Sequence, residues 1–139
     1  MKEESEAPCL FCEPSTRPKV LENRHAYAIW DQFPVTTHHL LILPKRHAAD
    51  YFELTQDEKA ACDALLTEGR ALIQSKDPSV TGFNIGMNCG ADAGQTIFHC
   101  HIHLIPRRTG DVAAPRGGVR HTIPGKGNYK GLGRGQAAP

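Results

Sequence analysis

Hydrophobic and polar residues along this chain change period several times, and each change marks an element. His25 to Asp31 alternates as a strand with Asp31 at its end, ahead of a turn at Pro34. Leu40 to Leu43 is a short apolar run between His39 and Pro44, the pattern of a buried strand. Thr55 to Ser75 reads as a helix. Thr55 and Glu58 have capping-box spacing, and Cys62, Leu65, Leu66, Gly69, Leu72 and Ile73 form one stripe behind them. Asp77-Pro78 ends it, because the residue before a proline avoids the helical region. Phe83 to Asn88 alternates again, with Phe83, Ile85 and Met87 on one face. Gly90 to Thr96 is a loop, and Ile97 to Ile105 reads as a strand able to pair with Phe83–Asn88 as a hairpin.

Composition narrows the class. A chain of 139 residues can bury a core of its own without disulfides. The ordered domain is expected over residues 9–108, after a flexible N-terminus at 1–8. Residues 109–139 form a tail rich in Gly, Pro, Arg and Lys, whose single acidic residue is Asp111, and the pattern assigns it no regular structure. Net charge is +1, so no bulk charge draws the protein to nucleic acid or membrane. The tail is basic, but no aromatic stacking platform accompanies it. No leader-like or membrane-length apolar run is present, which makes the cytoplasm the expected compartment. Five cysteines, an odd number, argue against a disulfide framework and leave metal binding or burial.

The chemistry concentrates in His99-Cys100-His101-Ile102-His103-Leu104-Ile105. Alternation places His99, His101 and His103 on one face, and Phe98, Cys100, Ile102 and Leu104 on the core face. A lone strand histidine is usually structural; three at period two call for another account. Two imidazoles at i and i+2 can clamp a metal, and an imidazole is also a competent nucleophile at neutral pH. Cys9-x-x-Cys12 is equally open, since its spacing suits zinc, a redox dithiol or chance. Cys62 and Cys100 read as small buried hydrophobes.

The strand resembles the signature of the histidine triad family, His-x-His-x-His followed by apolar residues. Asp31, the segment His39 to His47, and Asn88 followed by Gly94-Gln95-Thr96 occur in the family's order and spacing, so the resemblance covers about residues 9 to 108. It implies an α+β fold: a five-stranded antiparallel sheet with one long and one short helix. It also implies a nucleotide hydrolase in which His101 attacks the α-phosphorus and forms a nucleotidyl-histidine intermediate, with His103 at the phosphate or leaving group. Asp31 would accept from ribose hydroxyls, Asn88 would lie near the nucleotide, and Gln95 and Thr96 would hold phosphate oxygens. A family histidine aligned with His39 supports the triad from behind.

Zinc-containing bacterial members and the related uridylyltransferases imply a structural Zn²⁺ on Cys9, Cys12, His47 and His99, a closed tetrahedral set. Relatives also imply a homodimer and an adenine nucleotide as substrate. The expected reaction is hydrolysis of dinucleoside polyphosphates or related nucleotides, with Arg107 and Arg108 placed to neutralise a departing polyphosphate. The alternatives are a phosphoramidase, which shares the first step, and a non-catalytic nucleotide- or zinc-binding module.

Overall fold

The computed structural model of the protein describes residues 9–12 and 17–129. The N-terminal segment 1–8 lies outside them, as does the end of the tail. Strands β1 (Leu21–Glu22), β2 (Ala26–Trp30), β3 (Leu40–Pro44), β4 (Val80–Gly86) and β5 (Ile102–Arg108) form one antiparallel sheet in the order β1-β2-β3-β5-β4. Helix α1 (Gln56–Lys76) covers one face. The shorter helical element is a single 3₁₀ turn, Tyr51–Glu53, that precedes it.

The capping box is formed as its spacing predicts. Thr55 Oγ1 accepts from the Glu58 N–H at 3.1 Å, and Glu58 Oε1 accepts from the Thr55 N–H at 2.9 Å. The core lies between α1 and the sheet, where Leu65 and Ile73 meet Ala28, Leu40, Ile42 and Leu104. Gly69 allows the close approach, because a Cβ there would lie 2.8 Å from Leu40 Cδ2 and 3.2 Å from Leu104 Cδ2. Cys62 and Cys100 are buried, and burial pushes their thiols up to about 11 and about 12.

The last strand begins later than the alternation predicts. Pairing of β3 with β5 runs from Leu40↔Leu104 to Ile42↔Ile102, so residues 97–101 lie before the ladder. The Cys100 N–H donates instead to the Ala48 carbonyl at 2.7 Å. Burial alternates only from His101 to Pro106; ahead of it His99 and Cys100 are both buried, so the polar–apolar alternation of the sequence there is not that of a strand. The other additions are the short β1 and two 3₁₀ turns, Ala91–Ala93 in the loop before His99 and Gly118–Thr122 in the tail.

Candidate active site

Register assembles the site on the sheet face away from α1. Leu41 pairs with His103 and His103 with Gly86, while Asp31 and His39 stand just beyond β2 and β3, joined by Asp31 N–H to His39 O at 2.9 Å. His38 turns the chain at φ 73°, and His39 then enters the site with 3% of its surface exposed.

The histidine protons follow from what each ring nitrogen faces, and three backbone groups fix them. His99 Nε2 lies 2.8 Å from the Pro44 carbonyl, which only accepts, so the hydrogen is on Nε2 and Nδ1 carries a lone pair. His101 Nδ1 donates to the His99 carbonyl at 2.8 Å, which leaves Nε2 as its lone-pair nitrogen. The Val35 N–H donates to His39 Nδ1 at 3.1 Å, so His39 carries its hydrogen on Nε2. That hydrogen is donated to His103 Nδ1 at 2.8 Å, and His103 is therefore the Nε2–H tautomer. Burial lowers His39 and His99, and it takes His103 down to about 4 against the pull of Asp31.

His101 and His103 stand together, with ring centroids 5.3 Å apart. Phe11 packs edge-on to His101 at 5.1 Å. Phe11 lies inside the Cys-x-x-Cys segment, so once that segment reaches His99, Phe11 must reach the triad; the sequence reading overlooked this.

Cys9, Cys12, His47 and His99 converge, with all four ligand atoms within 4.8 Å of one another. Cys9 Sγ and Cys12 Sγ each lie 3.5 Å from His99 Nδ1, and Cys12 Sγ lies 3.2 Å from His47 Nδ1. A tetrahedral ion bound by thiolates and imidazoles at ordinary zinc distances sets S···N edges of roughly 3.5 Å. The buried lone pair of His99 Nδ1 faces both sulfurs, and the Pro44 carbonyl, accepting from Nε2, orients the ring as metal-binding imidazoles require. The four residues form a cluster able to hold a metal ion. Asp31, His39 and His103 form a second close group, but a metal on His39 Nε2 would drive its hydrogen onto Nδ1, against the Val35 N–H.

Other predicted residues fall into two sets. Asn88 is exposed and, with His39 and His103, lines a cavity of about 720 Å³ whose far wall includes Gly118, Val119, His121 and Thr122. Thr96 is exposed in the loop before His99. Gln95 is buried, with Oε1 accepting from Gly90 N–H at 2.8 Å and Nε2 donating to Ala49 and Ile97 carbonyls at 2.6 and 3.2 Å. Its amide is spent on bracing the loop. Asp31 is turned inward: Oδ1 accepts from Phe33 N–H at 2.8 Å, and Oδ2 lies 3.3 Å from His39 Nε2.

The arginines correct an expectation. Arg107 makes a bidentate pair with Asp111 at 2.8 and 2.8 Å and donates to Asn84 Oδ1 at 2.7 Å. Arg108 pairs with Asp77 and donates to Thr36 Oγ1 at 2.9 Å and to the Thr37 carbonyl at 3.1 Å. Both carboxylates are held below their usual range, Asp77 at about 2 by hydrogen bonds from Ser79 and then Arg108, and Asp111 by those from Arg107 and the Arg108 N–H. Neither guanidinium is held ready for a polyphosphate; Arg108 instead ties the loop carrying His39 to the end of α1.

The HIT domain profile matches residues 14–110. The chain belongs to the HIT family. It is 41% identical over 103 residues to a HIT-like protein of Mycoplasma pneumoniae, covering 71% of each chain. A HIT family protein from Bacillus anthracis superposes with a TM-score of 0.68 at 36% identity, covering 73% of this chain and 74% of that one. A hypothetical histidine triad nucleotide-binding protein from Sulfolobus tokodaii gives 0.57 at 34% identity, covering 67% of this chain and 62% of that one. The five-stranded antiparallel sheet with its main helix is the HIT fold. No helix among the described residues is long and apolar enough to cross a membrane.

Proposed function

We propose that this HIT protein hydrolyses nucleotides at the α-phosphorus, on dinucleoside polyphosphates or related substrates, through a covalent nucleotidyl-His101 intermediate. The observation that carries the reading is the tautomer of His101. Its Nδ1–H is committed to the His99 carbonyl, so the nucleophilic lone pair is on Nε2 without need of a base. His103 Nε2–H is the neighbouring donor for a phosphate oxygen or leaving group. Thr96, exposed beside the Gly90–Gln95 loop whose Gly90, Ala93, Gly94 and Gln95 N–H groups bond within it, is the phosphate donor. Gln95 contributes by holding that loop in shape. Asp31 and Asn88 contact the nucleoside.

Cys9, Cys12, His47 and His99 fit a structural zinc ion, which when bound would clamp the N-terminal segment and the exit of β3 to the triad and leave no open position for water. An adenine nucleotide is the expected substrate and the cytoplasm the expected compartment. A homodimer is supported by outer strand β4, where Ile85 is 51% exposed beside a groove lined by Met87, Leu66 and Tyr51.

The paired arginines favour a second reading, cleavage of a P–N bond on a nucleoside monophosphate. With Arg107 and Arg108 neutralised by Asp111 and Asp77, these two side chains add no free positive charge for a departing polyphosphate. Values of kcat/KM for a diadenosine polyphosphate and an adenosine phosphoramidate on one preparation decide between them. Preference for the polyphosphate supports the first reading; preference for the phosphoramidate keeps His101 and moves the protein to the second. Turnover of neither would sink both.

A further inference from the structure

Asp31 is built for more than a ribose. The Phe33 N–H fixes Oδ1 at 2.8 Å and thereby aims Oδ2 at two histidines, 3.3 Å from His39 Nε2 and 4.0 Å from His103 Nδ1. Between those nitrogens runs the 2.8 Å hydrogen bond from His39 to His103. A second proton on His103 would have to sit on Nδ1, head-on against the His39 hydrogen. His39 cannot move that hydrogen to its other nitrogen, where the Val35 N–H already points. Asp31 Oδ2 is the acceptor within reach of both N–H groups. A small rotation would let them turn from each other and donate to it together.

We infer that Asp31 is the counter-ion that allows His103 to carry a second proton, a positioning role separate from contact with ribose. The inference rests on the functional reading above. In the first half-reaction His101 Nε2 forms a bond to phosphorus, the bond to the leaving group breaks, and that group takes the Nε2 proton of His103. His103 is then neutral, with its remaining hydrogen on Nδ1 held by Asp31. In the second half-reaction His103 Nε2 takes a proton from the attacking water as the phosphorus–His101 bond breaks. The sum is substrate plus water giving nucleotide plus protonated leaving group, with His103 again charged. Asp31 holds one proton in place through both halves, as a buried carboxylate does for a catalytic imidazole elsewhere.

The charged and titratable groups around this pair are few. His101 and His39 face His103 and disfavour its charge, burial disfavours it further, and Asp31 opposes them. His121 lines the same cavity from the tail. On the other side of Asp31, Arg17, Lys19 and Lys76 line a separate hollow. Removing the carboxylate therefore lowers the pH at which His103 gives up its second proton.

The test uses wild type, Asp31→Asn and Asp31→Glu with four adenylates. Two carry an alkylamine leaving group, which must be protonated, and two carry p-nitrophenolate, which need not be; each comes with ribose and with dideoxyribose. Asp31→Asn is expected to lower kcat/KM for the amine substrates at least about tenfold more than for the nitrophenyl esters, in both sugar series. The alkaline limb of the amine profile should move down by about one pH unit, the equivalent of that tenfold. Asp31→Glu should recover part of the loss. Nitrogen-15 spectra of the His103 ring in the wild type and Asp31→Asn should show the same lowered titration without turnover. A loss equal for both leaving groups, and absent with dideoxyribose, would assign Asp31 to ribose alone and overturn the inference. Should Asp31→Asn not fold, a leaving-group-independent loss in Asp31→Glu overturns it equally. If the wild type forms no adduct on His101, the functional reading falls and takes this one with it.

Discussion

Glu58 joins the helix cap to the segment carrying His47 of the Cys/His cluster, and its removal can be worked through in numbers. Its carboxylate accepts from Arg46 Nε at 2.7 Å and Nη2 at 2.9 Å, and also from the Thr55 N–H at 2.9 Å. Arg46 in turn precedes His47 in the sequence. Glu58→Ala removes a bidentate charge-assisted pair, about 1.5–3 kcal/mol, and half of a capping box, about 0.5–1 kcal/mol. The side chain of Glu58 is 7% exposed but that of Arg46 is 51% exposed, so the arginine regains water, the pair counts for about half of that, and the sum falls to about 1–2.5 kcal/mol. For a chain of 139 residues this lowers Tm by about 3–9 °C.

Glu58→Gln keeps the cap acceptor and loses the charge, and should cost about half as much. The pH dependence has a definite sign. Arg46 holds Glu58 at about 2, below its ordinary 4.5, so its contribution is present above pH 4.5 and fades as pH falls toward 2. Chemical denaturation of wild type and both variants across that window is the assay. A wild-type advantage that persists unchanged to the acid end, or a Glu58→Ala cost under about 0.5 kcal/mol, would refute the reasoning.

Two further outcomes are expected. Purified protein should carry about one zinc per chain, and cobalt in its place should give thiolate charge-transfer bands that Cys12→Ser weakens; a metal-free protein insensitive to chelators would contradict the Cys₂His₂ assignment. Gly69→Val should destabilise by about 1–3 kcal/mol, because its side chain would press on Leu40 and Leu104, both fully buried; equal or higher stability in urea would show that the core can yield.

Much of this was legible in the chain because the signals were local. The helix cap, the β2 and β3 runs and the β4–β5 hairpin follow from spacing and periodicity, and the four metal-cluster residues from family resemblance. What was not legible depended on partners distant in sequence. Ile97 to His101 keeps strand-like alternation, yet the Cys100 N–H bonds to Ala48 rather than to a sheet neighbour. Arg107 and Arg108 read as free cations because nothing in their own stretch shows that Asp77 and Thr36 fold back upon one of them. The Val35 N–H, which sets the tautomers of His39 and His103, is a backbone group and leaves no mark in a sequence.

The central claim is that His101 is the nucleophile, and trapping its adduct tests that most directly. Wild type mixed with an adenylate substrate, quenched in base within one turnover and mapped by mass spectrometry, should carry one adenylyl group on His101. His101→Ala should carry none and turn over on the order of 10³-fold more slowly or worse while still binding nucleotide. Turnover in the wild type without an adduct, together with near-normal rates in His101→Ala, would contradict the account.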